Sequence, residues 1–326
     1  MPIVEGHDPA ALQRAAEHLA AGQLVAFATE TVYGLGARAD DEAAVARIFA
    51  AKGRPADHPL IVHVADVDAV RLFATEPSAA AQRLMAAFWP GPLTLILPRL
   101  AGVASAAAGG QGSIGLRMPA HPVALALLRQ AARLGVAGVA APSANRFGRV
   151  SPTTAAHVAA EFGPDLLVLD GGACPVGIES AIVDCTREQP ALLRPGQLAR
   201  SQLEQVLGQP LAAPDAASPR ASGTLASHYA PDAHLLVLDT AALRSRLAAA
   251  PTGSERGVAV YSRLAPAAGH GWIWRRMPSQ AAATAHELFA VLRELDEAGV
   301  GTIWVEQPPP DPAWDGVRDR LQRAAA

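Results

Sequence analysis

Lysine is almost missing from this 326-residue chain: of its 27 Lys and Arg residues, only Lys52 is lysine. Cysteine is nearly as scarce. Cys174 and Cys185 form neither a metal-ligand spacing nor a disulfide framework, which fits a reducing, cytoplasmic compartment. Aromatic residues make up 5% and the formal net charge is -3, a balance that argues against a generic nucleic-acid coat while leaving room for a local basic cleft. No apolar run is long enough for a membrane span, and "MPIVEGHDPAALQRA" lacks the basic and apolar regions of a signal peptide. The patterns GxxxxGK[ST], GxSxG, HExxH and CxxC are absent, so neither a P-loop nor a nucleophile-elbow hydrolase is indicated.

What is present is a chain long enough to bury a large core without staples. Its first two thirds alternate short apolar runs with helical patterns. Strands are predicted at 24–29, 59–64, 93–97, 113–118, 138–141 and 166–170, with two more in "SAIVDC" and "ALLRP". Helices are predicted at 40–53, capped by Asp40 or Asp41 and stopped by Gly53, and in "SAAAQRLMAAFW", "VALALLRQAARL" and "TTAAHVAAEF". This is an α/β pattern whose sheet need not be purely parallel. From Gly208, "GQPLAAPDAASPRASG" has no apolar period and reads as a linker. After Pro231 the strands "HLLVLD", "GVAVYS" and "GTIWVEQ" alternate with the helices "AALRSRLAAA" and "ATAHELFAVLREL", followed by a basic last helix. This is a small βαβαβ unit without a Gly-rich dinucleotide fingerprint.

Five polar stretches interrupt the strands of the first part: "ATETVYGLGA" (28–37), "KGRPADHPLIVH" (52–63), "GSIGLRMP" (112–119), "APSANRFGRVSPT" (141–153) and "GIESAIVDCTREQPALLRPG" (177–196). They supply Lys52, Arg54, Arg117 and Arg194 as cations and Thr29, Thr31, Ser113, Ser143, Ser151 and Ser180 as hydroxyls. At strand ends of an α/β fold, cations and hydroxyls without a partnered nucleophile suit a polyanion such as a nucleotide. Each also has a plainer reading. A lone arginine at a strand end is usually structural, "PSAN" and "KGRP" are also turn sequences, Gly34 and Gly36 could serve tight turns, His63 could be a satisfied core histidine, and both cysteines could be inert.

In this order, "ATETVYGLGA", "KGRPADHPLIVH", "FWPGPLTLIL", "GLRMP", "PSANRFGRVSPT", "LLRPG" and "SGTLASHYAPDA" resemble the motifs of the threonylcarbamoyl-AMP synthase family, with its YrdC-like domain. The resemblance is dense over residues 10–232 and only architectural beyond. It implies a YrdC-like twisted mixed sheet with flanking helices at 1–207, a linker or lid at 208–232, and a smaller Rossmann-like α/β domain at 233–326. It implies a reaction of L-threonine, bicarbonate and ATP, assisted by Mg²⁺, that yields threonylcarbamoyl-AMP and pyrophosphate. The product would feed separate transferase proteins that modify tRNA; a weak direct contact with tRNA is compatible with this.

By resemblance, Thr31, His63, Arg117, Ala141 and Ser180 would hold threonine, Arg117 taking its carboxylate bidentately. Lys52, Arg54, His58, Ser113, Ser143, Ser151, Arg194 and Tyr229 would hold ATP, with Lys52 and Arg54 nearest the chemistry and no metal ligand among the side chains. Lys52 would approach a phosphate or carbamate oxygen end-on, where a wider guanidinium beside Arg54 would not fit. The chain departs from the family pattern at Ala28 (usually Pro), His58 (usually Asn) and Thr224 (usually Met). An RNA-binding module that makes no adenylate remains an alternative from the residues. A carbamoyl-phosphate-using maturation enzyme does not, because its zinc-finger cysteines are missing.

Overall fold

The computed structural model describes residues 3–249, 257–265 and 272–326. Two compact units form: Met1–Phe147 with Ser151–Thr224, and Gly148–Val150 with Leu225–Ala326.

In the first unit the strands are β1 (Ile3–Glu5), β2 (Val25–Phe27), β3 (Gly34–Arg38), β4 (Ile61–His63), β5 (Leu93–Pro98), β6 (Ser113–Arg117), β7 (Val139–Ala140), β8 (Leu167–Asp170), β9 (Ala181–Asp184) and β10 (Ala191–Arg194). They make one mixed sheet in the order β1-β8-β2-β3-β7-β4-β6-β5-β9-β10. The helices are α1 (Pro9–Ala20), α2 (Glu42–Lys52), α3 (Ala79–Phe88), α4 (Pro122–Arg133), α5 (Ala155–Phe162) and α6 (Arg200–Leu207).

Strand side chains alternate between two faces, and the faces are covered differently. Ala26, Leu35, Val62, Leu95, Leu116, Val168 and Val183 join the main core with Val45 and Ile48 of α2, Leu84 of α3, Val158 of α5 and Leu203 of α6. On the opposite face, Val25, Phe27, Val139 and Leu169 pack with α1 and α4. Farther along that face, Ile61, Ile96, Ile182, Ala191 and Leu193 have no helix over them; Ala212 and Ala221 pack there instead.

Residues 208–224, read from composition as a linker, are thus a strap laid along the sheet of the first unit. Leu192 N donates to Ala212 O at 3.2 Å and Ala212 N to Pro190 O at 2.9 Å. Farther on, Arg187 pairs with Asp215 at 2.8 Å and Arg220 with Asp57 at 2.9 Å.

The reason for the two glycines of "GLGA" also differs from the turn reading. Neither has a positive φ. A Cβ on Gly36 would lie 2.8 Å from both Phe27 Cε1 and Val139 Cγ1, so the sheet needs its absence.

The second unit holds β11 (His234–Leu238), β12 (Val258–Ser262), β13 (Ile273–Arg276) and β14 (Thr302–Glu306), with α7 (Thr240–Ala249), α8 (Ala281–Glu297) and α9 (Asp315–Ala324). Its sheet is wholly parallel, in the order β11-β14-β12-β13. The predicted helix 241–250 ends in Ala250, outside the described residues. Four strands stand where the sequence pattern indicated three. The extra one, "IWRR", is a largely exposed edge strand with no apolar alternation to announce it.

Candidate functional site

Three strand ends converge first. β4 and β6 are parallel neighbours, and His63 and Arg117 are register partners at their C-terminal ends. The loop after β2 then arrives from the side. Thr29 Oγ1 caps its own turn by donating to Val32 O at 2.6 Å and lies 2.9 Å from Thr31 Oγ1. Arg117 Nη1 donates to Thr31 Oγ1 at 2.8 Å, Nε to Gly91 O at 3.3 Å, and Nη2 lies 2.7 Å from Glu30 Oε1. All of these side chains are buried. Pro92, next to Gly91, accepts from Ala181 N at 3.0 Å, which brings in Ser180. Ser180 Oγ lies 2.7 Å from Thr94 Oγ1. The close pass of Gly196 fixes this corner, since a Cβ there would sit 2.4 Å from Ala181 N. Ala141 donates its backbone N–H to Ile61 O at 2.9 Å and closes the β4 side.

His63 is buried, and burial, with the adjacent Arg117 guanidinium second, lowers its pKa to about 3. The imidazole is therefore neutral at pH 7. Unfolded, it binds a proton near 6.5, so its contribution to stability is complete above pH 6.5 and is lost as pH falls towards 3. His63→Asn is expected to flatten the pH dependence of unfolding free energy in that window. Denaturant titrations at several pH values check this; an unchanged slope would mean that His63 is not titrating as its burial requires.

Lys52 ends α2. Asp41 caps the other end by accepting from Ala44 N at 3.0 Å, and Gly53 closes the helix at φ 64°. The "PSANRF" loop wraps this helix end: Phe147 N donates to Lys52 O at 2.9 Å, and Lys52 Nζ donates to Ser143 O at 2.7 Å and to Asn145 O. Lys52 is 3% exposed. Burial, then the Arg54 guanidinium, push its pKa well below the ordinary lysine value. Arg54 donates to Pro59 O at 3.1 Å and stacks over Phe147 at 5.6 Å; His58 meets the same ring edge-on at 5.5 Å. Burial and Arg54 lower the pKa of His58 as well, so this departure from the family's Asn does not add a charge at neutral pH. Lys52 is thus first a clamp on the backbone that carries Ser143, rather than a free end-on cation.

The third group surrounds a pocket on the strap-covered face. Its walls include Ile61, Thr94, Ser113, Gly115, Ile182 and Ser222. Arg194 is fully buried beside it, donating from Nε and Nη2 to Ser180 O at 3.1 and 2.8 Å and from Nη1 to Ser222 O at 2.7 Å. Gln111 and the Arg220 backbone exchange hydrogen bonds of 2.8 and 3.1 Å, pinning the strap over the mouth. Ser151 donates to Glu179 Oε1 at 2.5 Å.

Tyr229 belongs to the second unit, where it is 1% exposed, 5.4 Å from the Phe289 ring and 5.5 Å below the Arg320 guanidinium, in a left-handed backbone conformation (φ 65°). Such a backbone is strained for a residue with a bulky side chain. Among the described residues no three His, Cys, Asp or Glu side chains gather to hold a metal, and no helix is long and apolar enough to cross a membrane.

A family model described as "Telomere recombination", the Sua5/YciO/YrdC domain, matches residues 17–196. One described as "Threonylcarbamoyl-AMP synthase, C-terminal domain" matches 198–326. The chain belongs to the threonylcarbamoyl-AMP synthase family. The threonylcarbamoyl-AMP synthase of Bacillus subtilis is 37% identical over 98% of this chain and 94% of its own length. That of Pyrococcus abyssi is 46% identical over 69% of this chain and 67% of its own. The crystal structure of P. abyssi Sua5 complexed with L-threonine matches with a TM-score of 0.86 at 36% identity, covering 96% of this chain and 94% of that one.

The threonylcarbamoyl-AMP synthase fold brings Thr31, His63, Arg117 and Ala141 to one end of the sheet, with Ser180 joined through Gly91 and Pro92. It gathers Lys52, Arg54, His58 and Ser143 around the "PSANRF" loop, and Ser113 and Arg194 under the strap. Glu30 and Thr94 are not among the candidates that the sequence singles out. Glu30 lies in the quoted "TETVYG" motif, but its ion pair depends on β6, which is far away in sequence.

Proposed function

We propose that the protein makes threonylcarbamoyl-AMP and pyrophosphate from L-threonine, bicarbonate and ATP. The observation that carries this is the buried Arg117, joined to Thr31 and Glu30 beside a neutral His63, and connected through the Gly91–Pro92 backbone to the Ser180–Thr94 hydroxyl pair. That arrangement suits a small amino acid: Arg117 for its carboxylate, hydroxyls for its side chain. Threonine's amine combines with bicarbonate to give a carbamate, whose oxygen attacks the α-phosphate as pyrophosphate leaves. The nucleophile is already anionic, so the site's work is positioning and charge neutralisation.

In this reading Ser143, held by Lys52, and Arg54 and His58 face the phosphates. Ser113 and Arg194 hold the rest of ATP under the strap, with Ser151, bonded to Glu179, as a further nucleotide contact. Tyr229, by the family resemblance, is a further contact for the nucleotide. Mg²⁺ would enter with the ATP phosphates as part of the substrate. The product passes to separate proteins that transfer the threonylcarbamoyl group to tRNA. A cytoplasmic setting accords with two free, buried thiols.

Side-chain selectivity tests the reading. A pocket that pairs the substrate hydroxyl leaves polar groups unpaired when the hydroxyl is lost. Valine should therefore support pyrophosphate release at least ~10³-fold less well than threonine, and serine, lacking one methyl, ~10- to 100-fold less. Valine working as well as threonine would overturn the substrate assignment.

A further inference from the structure

Glu30 is the one acid in the Arg117 cluster. It is 6% exposed, its Oε1 lies 2.7 Å from Arg117 Nη2, and its backbone carbonyl is tied down by Val176 N at 2.8 Å. The pair is close without being aligned as a hydrogen bond. Neither carboxylate oxygen of Glu30, nor Arg117 Nη2, makes a hydrogen bond among the described residues. Buried polar atoms left in this condition are rare and call for a partner. The other charged or titratable groups facing Glu30 are His121, at the start of α4, and Cys174, after β8; His63 stands beside Arg117 on β4.

A buried acid and base side by side, each with unused hydrogen-bonding capacity, form a local dipole with little net charge. A bare carboxylate would be repelled by Glu30 as it approached Arg117. A zwitterion matches both ends. The reaction also has a proton to place. Threonine enters as an ammonium ion, which has no lone pair with which to attack a carbon. His63, held neutral by burial beside Arg117, is poorly suited to take up a positive charge. Lys52 Nζ is engaged with the Ser143 and Asn145 carbonyls, and Arg54 is a donor.

We propose that Glu30 is the subsite for the α-ammonium group of the amino-acid substrate and accepts its first proton. The inference rests on the threonine reading above. In the step it serves, the ammonium gives one proton to the Glu30 carboxylate and the freed amine attacks the carbon of bicarbonate. A nitrogen–carbon bond forms and the carbon–hydroxyl bond breaks. The departing hydroxide takes a second proton from nitrogen and leaves as water. The products are the carbamate anion, water and neutral Glu30, which returns its proton to solvent.

The test is a ratio of affinities. Calorimetry with L-threonine and with 2,3-dihydroxybutanoate, which carries a hydroxyl in place of the ammonium, measures how much of the affinity depends on that group. The wild-type chain should prefer threonine by ~10- to 100-fold, the weight of a charge-assisted contact. In Glu30→Gln the preference should fall to within ~3-fold while ATP affinity stays close to wild type. A purely structural role for Glu30 would weaken both ligands together and leave their ratio unchanged, and that result would overturn the proposal. Equal binding of the two ligands by the wild-type protein would overturn it without any variant, so the proposal remains exposed even if Glu30→Gln fails to fold. A wild-type protein that bound neither ligand would overturn the threonine reading itself and the inference with it.

Discussion

Lys52→Ala is expected to lower threonine-dependent turnover by about 100-fold, and Lys52→Arg by at least ~10-fold, with both proteins still folded. The ammonium bridges two carbonyls, at Ser143 and Asn145, in the loop that wraps the end of α2. Charge-assisted hydrogen bonds of this kind contribute ~1.5–3 kcal/mol each, and ~1.4 kcal/mol is a factor of ten in rate. Removing them frees the backbone that positions Ser143. Arginine keeps the charge, but a planar fork cannot take the place of a compact ammonium wedged between two carbonyls, with Arg54 already nearby. Pyrophosphate release at saturating ATP and threonine reads the effect, and thermal unfolding checks the fold. A Lys52→Arg variant with near-normal turnover would mean that the single lysine of this chain is an accident of composition.

The second large effect concerns the strap. A chain ending at Gly208 is expected to fold, because the main core is built from α2, α3, α5, α6 and the sheet. It should nevertheless bind ATP at least ~10-fold more weakly than a chain ending at Thr224, and lose threonylcarbamoyl-AMP to water faster. Truncation at 208 removes the Ser222 carbonyl that Arg194 Nη1 grips, the Arg220–Gln111 closure, and the cover over Ile61, Ile96 and Ile182. A mixed anhydride survives only where water is kept out, and exclusion of this kind is what a closing segment supplies. Thr224, the departure from the family's Met, keeps a local role by donating to Ala221 O at 2.9 Å. Equal ATP affinity and equal retention of the adenylate in the two truncated chains would reduce the strap to a tether.

Much of the sheet could be read from local pattern, because buried strands such as "LTLIL" and capped helices such as 40–53 carry their signals within a few residues. The parts that escaped did so for identifiable reasons. α1 is the exception, absent from the predicted helices although its signals are local: Asp8 caps it, Pro9 opens it, and Ala11, Ala15, Ala16 and Leu19 form its buried face. β3 is glycine-rich, and its glycines serve close packing between strands, which no single strand's sequence reveals. The strap has the composition of a linker because it earns its order from partners at Pro190, Arg187, Gln111 and Asp57, all distant in the chain.

At the site, the resemblance supplied residue identities, while the geometry changed what two of them do. Lys52 holds a loop, and Arg117 comes with a carboxylate already beside it. His63 is a buried core histidine and also the register partner of Arg117.

The site is expected to join threonine, bicarbonate and ATP into one adenylate. The most direct test is to incubate the full chain with Mg²⁺, ATP, ¹³C-bicarbonate and L-threonine, quench rapidly, and identify the nucleotide product by mass. The expected product is threonylcarbamoyl-AMP carrying a single ¹³C, formed with an equal amount of pyrophosphate and only when threonine is present. Pyrophosphate or AMP formed at the same rate without threonine, or a product lacking the label, would contradict it.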